Sequence, residues 1–119
     1  MIKWPKSINV NGITYKVEYV PHRDGIDSDG TDCSLLGQVH YRKHTIRIWT
    51  GREDEIQEPM ENFDTLLHEL LHIIFYQNPA IEKLLADDDG NGEAMITCIA
   101  RMLADTLVRN GIISLPKET

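Results

Sequence analysis

The sequence predicts an α+β fold: a small, mainly antiparallel sheet packed against two or three helices. Two observations carry this. The first half of the chain alternates apolar and polar residues with a period of two around turn dipeptides, which is the signature of half-buried strands. The second half repeats its apolar residues at helical spacing, between a proline at one end and Asn-Gly at the other. With 119 residues there is room for one domain, residues 1–119.

The first strand pair is read at Ile8 and Val10, then at Ile13, Tyr15, Val17 and Tyr19 with Thr14, Lys16 and Glu18 between them. Asn11-Gly12 joins them, because this dipeptide accepts the positive φ of a type I′ turn. A second hairpin is expected from Gln38-Val39-His40-Tyr41 and Thr45-Ile46-Arg47-Ile48-Trp49, on either side of Arg42-Lys43-His44. Between the hairpins, Asp24 to Asp32 has the composition of a loop. A calcium loop would need oxygen ligands at its first, third and fifth positions, Gly at the sixth and a closing Glu. Gly30 comes too early after Asp27 and no Glu follows, so a solvated surface loop is expected.

The first helix should run from Pro59, which suits a first turn, to about Gln77, where Asn78-Pro79 stops it. A short helical piece, Ala80 to Ala86, should follow. Asp87 to Gly92 reads as a loop. The last helix should run from Glu93 to Arg109 and end at Asn110-Gly111.

Twelve Lys+Arg against nineteen Asp+Glu give a net charge of −7. No cluster of cations exists to neutralise phosphates, so no nucleic-acid partner is expected. The most apolar stretch, Leu66 to Tyr76, is interrupted by His68, Glu69 and His72 and is too short and polar to span a bilayer. Met1 to Pro5 shows no apolar signal core, so a cytoplasmic chain is expected, with Cys33 and Cys98 as free thiols.

The chemistry lies in His68-Glu69-Leu70-Leu71-His72, an HExxH motif. Histidines four apart leave one helix face about one turn from each other, so both imidazoles reach one zinc ion. The Glu after the first His then stands beside the metal, placed to take a proton from water. On a wheel of about 100° per residue, Glu61, His68, His72, Thr65, Tyr76 and Glu69 share an arc of about 100°. The other residues from Leu66 to Phe75 are all apolar. A helix apolar over so wide an arc is buried on most sides, and its polar stripe must face something polar.

The third ligand must come from elsewhere. Phe75 and Asn78 stand where an extended HExxHxxGxxH motif would have its Gly and third His, and no His follows His72. The candidates are Glu82, the triplet Asp87-Asp88-Asp89, and Glu93. Glu93 is favoured because it opens the last helix and lies at the margin of the apolar stripe formed by Ile96, Ile99, Ala100, Leu103 and Leu107. A carboxylate there is costly unless paired or metal-bound. The small Ala100 and Ala104 would let this helix pack closely on the first. Cys98 lies off that face.

Two hairpins, an HExxH helix and a second helix opening with Glu93-Ala94 resemble the small ImmA/IrrE-type zinc metallopeptidases of bacteria and prophages. Gly37-Gln38-Val39-His40-Tyr41 followed by Thr45-Ile46-Arg47-Ile48 is similar to the strand pair before that family's active helix. The resemblance spans about residues 7 to 110. It implies a zincin-like minimal metallopeptidase fold, zinc (Zn2+) held by His68, His72 and Glu93, Glu69 as the base, and a protein or peptide substrate. The chain departs from longer members in lacking a helix-turn-helix domain, and it has Leu71 where many members have Gly. An oxyanion donor is also required, and Tyr76, His40, His44 and Tyr41 are the candidates. The sheet edge near Thr45 to Trp49 is expected to accept a peptide as an added strand.

Overall fold

The computed structural model describes residues 4–20, 37–52, 55–56, 59–86 and 91–115. It contains strands β1 (Ser7–Val10), β2 (Ile13–Val20), β3 (Gly37–His40), β4 (Thr45–Trp49), β5 (Gly51–Arg52) and β6 (Glu55–Ile56). The helices are α1 (Pro59–Tyr76), α2 (Pro79–Ala86) and α3 (Asn91–Arg109). The acidic stretch Asp24–Asp32, expected as a loop, Cys33 and the triplet Asp87–Asp89 lie outside the described residues, as does the side chain of Glu82.

Both expected hairpins form. Asn11 and Gly12 have φ of 52° and 91°, the paired positive values a type I′ turn needs. Asn9 reinforces the turn: its Oδ1 accepts from the Gly12 N–H at 2.8 Å. The second turn is closed by His44, which adopts φ 47° and donates its N–H to the Tyr41 carbonyl at 3.2 Å.

The four-stranded sheet has the order β1-β2-β4-β3. Within each hairpin the pairing is antiparallel, but β2 and β4 pair in parallel, with Val17 opposite Ile46 and Tyr19 opposite Ile48. The sheet is therefore mixed. This corrects the expected peptide-accepting edge: Thr45–Trp49 is an interior strand, hydrogen-bonded on both sides, and the edges are β1 and β3. Its burial explains the placement, since Ile46, Ile48 and Trp49 are all essentially inaccessible. The small β5–β6 ladder was not expected from the sequence pattern.

One sheet face carries the core. Tyr15 and Val17 of β2 and Ile46 and Ile48 of β4 pack against Leu66 and Ile73 of α1. Ile13, the first residue of the same alternation, stays more than a third exposed at the strand end. Gln77 anchors the far end of α1 to the sheet by donating from Nε2 to the Val10 carbonyl at 3.2 Å. Pro79 occupies the first position of α2.

Helix α3 begins at Asn91, which places Glu93 in its first turn. It ends in a Schellman turn: Gly111 has φ 68°, Ile112 N–H donates to the Leu107 carbonyl and Gly111 N–H to that of Val108. It runs antiparallel to α1, because Arg101 pairs with Asp64 near the start of α1 while Glu93 meets His72 near its end. The packed stripe is narrower than expected. Ile96, Ala100 and Ala104 are buried, whereas Ile99 and Leu103 are more than a third exposed. The two alanines set the seam, as small side chains let helix axes approach. No helix among the described residues is long and apolar enough to cross a membrane.

Tyr19 supplies a test of the first hairpin. Its hydroxyl donates to the Pro5 carbonyl at 2.7 Å, and burial raises its pKa to about 12 from the usual 10. The folded state thus holds a proton that the unfolded chain releases above pH 10. This contribution to stability is complete below pH 10 and lost as pH rises toward 12. Tyr19→Phe should cost about 0.5–1.5 kcal/mol at neutral pH and abolish that part of the alkaline decline, measured by urea unfolding across the range.

Candidate metal centre

Helix periodicity brings His68 and His72 to one face of α1, and the α1–α3 seam brings Glu93 to meet them. His68 Nε2 lies 2.7 Å from one Glu93 carboxylate oxygen, and His72 Nε2 lies 3.0 Å from the other. The two Nε2 atoms are 3.2 Å apart. The rings stand edge to face, with centroids at 4.9 Å. Among the described residues this is the group of side chains able to hold a metal ion.

The donor set fits a small divalent cation. Tetrahedral ligand atoms about 2.0–2.1 Å from one ion stand about 3.3 Å apart. The present separations of 2.7, 3.0 and 3.2 Å are shorter by up to about 0.6 Å, as suits atoms drawn together by hydrogen bonds. Each Nε2 is within hydrogen-bond distance of the other and of Glu93; with the protons on Nδ1, both Nε2 lone pairs face the space between the rings, the form in which a cation is held. Desolvation, the largest influence, lowers the pKa of His72 despite the opposing pull of Glu93. It favours the neutral imidazole that ligates metals.

Glu93 differs from its expected setting. Its side chain is 59% exposed, so it is held by the two histidines rather than by burial. Its place in the first turn of α3 suits a carboxylate, because unpaired N–H groups there carry partial positive charge. The exposure also leaves one side of the cluster open to solvent.

Glu69, the residue after His68, is only 6% exposed. Burial, and then the charge of Glu93, push its pKa up to about 8. Such a carboxylate is a far stronger base than an exposed one. Strand β3 closes over it. A Cβ added at Gly37 would lie 2.7 Å from Thr65 Cγ2 and 3.1 Å from Glu69 Cγ, so only glycine permits this approach. Gly37 is the functional neighbour that motif reasoning missed. The available signal was a glycine opening a strand, which often marks close backbone contact.

The remaining candidates divide. Tyr76 lies one turn beyond His72 and stacks on Tyr41, with ring centroids 4.2 Å apart. His40 is not brought to the cluster. Gly37 and Val39 pair with Ile48 and Ile46 on the core face, so His40 has the opposite parity. It is exposed, and its Nδ1 accepts from the Lys43 N–H at 3.3 Å. His44 sits in the same turn with its ring against Tyr15, at 5.2 Å between centroids. Cys98 is exposed and outside the group. The chain matches no protein-family model, no curated protein and no solved structure.

Two outcomes test this geometry. Gly37→Ala should cost about 1–3 kcal/mol by overpacking. Thr65→Ser, which removes the Cγ2 but keeps the hydroxyl that donates to the Glu61 carbonyl, should recover part of that loss in denaturant unfolding. Secondly, in metal-free protein the folded state binds a proton at Glu69 that the unfolded chain releases above pH 4.5. Stability from this group is full below pH 4.5 and lost as pH rises to about 8. Glu69→Gln should remove that decline, read as the difference between the two proteins' melting temperatures from pH 4.5 to 9.

Proposed function

We propose that the chain is a zinc-dependent peptidase of zincin-like build, in which His68, His72 and Glu93 hold the metal and Glu69 is the base. The observation that carries this reading is the convergence of two Nε2 atoms and one carboxylate within 3.2 Å, beside a buried carboxyl of raised pKa. The likeness of the HExxH helix and the Glu93-Ala94 helix start to the ImmA/IrrE-type peptidases is its counterpart in sequence.

Zinc bound there would supply an acidified water, with a pKa near about 7, and a Lewis acid for the scissile carbonyl. Glu69 accepts the proton from the attacking water and returns it to the leaving amine nitrogen. Its burial screens it from bulk solvent. Strand β3, the sheet edge beside α1, offers the backbone groups along which a peptide could be laid as an added strand.

Catalysis is favoured over a purely structural metal or a non-catalytic binding scaffold by the ligand count. Structural zinc is normally held by four protein ligands. Among the described residues three converge, and the exposed side of Glu93 leaves room for water and substrate.

Protein purified without chelator should contain about one zinc per chain by elemental analysis. Glu93→Gln should weaken zinc binding by at least tenfold in competition with a chromogenic chelator, while Asp88→Asn leaves it unchanged. Glu69→Gln should retain zinc yet lower cleavage of a library-selected peptide by at least ~10²-fold. A chain that binds zinc and cleaves nothing in such a library would favour the binding scaffold.

A further inference from the structure

The ligand face of α1 does not stop at His72. One turn further it carries Tyr76, which is 49% exposed. Part of this ring is covered: it stacks on Tyr41 with centroids 4.2 Å apart and planes 22° from parallel. Tyr41 directly follows β3 and packs against the core cluster of the sheet. The Tyr76 ring is therefore held from behind, and its uncovered part faces solvent. At the other end of β3, Gly37 touches α1 at Thr65 and Glu69. Strand and helix run side by side from the base to the aromatic pair, with His72 between them along the helix.

We propose that Tyr41 and Tyr76 form a specificity subsite beside the metal centre and bind an aromatic or large apolar side chain of the peptide. The proposal rests on reading His68, His72 and Glu93 as the metal centre. An aromatic ring already stacked loses little freedom when a second flat group packs on it, so contact area converts efficiently into affinity. The surroundings favour neither charge. The electron-rich ring faces attract a cation and repel a carboxylate, whereas Arg42 and Lys43, the exposed cations that follow Tyr41, do the reverse.

The test uses zinc-loaded full-length protein and amino-acid hydroxamates, whose hydroxamate group ligates zinc while the side chain varies. Titration calorimetry compares phenylalanine, alanine, lysine and aspartate hydroxamates. Phenylalanine hydroxamate should bind about tenfold tighter than alanine hydroxamate. Tyr76→Ala should lose most of that ratio, while zinc content and alanine hydroxamate affinity stay within twofold. Tyr76→Phe, which keeps the ring and removes the hydroxyl, should preserve the ratio. Equal affinities, a preference for lysine or aspartate, or a preference that survives Tyr76→Ala would overturn the subsite and leave the metal centre standing. The wild-type series decides the matter even if the alanine variant does not fold. Failure of the wild type to hold zinc would instead overturn the metal centre and the subsite with it, while zinc held with no hydroxamate bound would overturn the subsite alone.

Discussion

The close seam between α1 and α3 governs what the rest of the molecule can do. Ala100 and Ala104 are buried to 0% and 1% exposure, and with Ile96 they form the face that α3 lays on α1. Because α3 returns antiparallel along that seam, its first turn arrives beside the last turns of α1. Glu93 is thereby carried to both histidines, 2.7 and 3.0 Å from their Nε2 atoms. Larger side chains in place of the alanines would push the axes apart, and a shift of one or two ångströms would separate the carboxylate from the ring nitrogens. The position of Glu93 is thus a packing result, expressed through residues that carry no chemistry.

The site also holds two carboxyl groups in opposed environments. Glu93 is exposed, stands at a helix start and is held by two rings. Glu69 is buried next to it, and desolvation and the Glu93 charge together make its proton hard to remove. Two titratable groups of one kind, set apart by their surroundings, can take different roles, one as ligand and one as base. The arrangement costs stability in the metal-free chain, and a cation between the histidines would relieve it.

The sheet contributes by position. The parallel pairing of β2 with β4 makes β4 an interior strand and leaves β3 at an edge beside α1. Gly37 lets that edge close on Glu69, so the buried environment of this carboxyl depends on a missing side chain in a strand remote in sequence. The same strand leads into Tyr41, which backs Tyr76. One short strand therefore contributes both to the burial of Glu69 and to the backing of the Tyr76 ring.

Local features were legible in the sequence because local physics produces them. Asn11-Gly12 made a type I′ turn, the alternation at Tyr15 and Val17 faced the core, and Pro59 and Gly111 bounded the helices. His68 and His72 share a face because the α-helix repeats about every 3.6 residues. Other features depend on contacts between elements distant in the chain, and no local pattern encodes those. Strand order is one: two hairpins can meet along either edge, and only burial of Ile46 and Ile48 beneath α1 placed β4 inside and β3 outside. The choice of the α3 face is another, since Ile99 and Leu103 match the apolar period as well as Ala100 and Ala104 do. Close helix packing selected the small residues, and that selection brought Glu93 to the histidines.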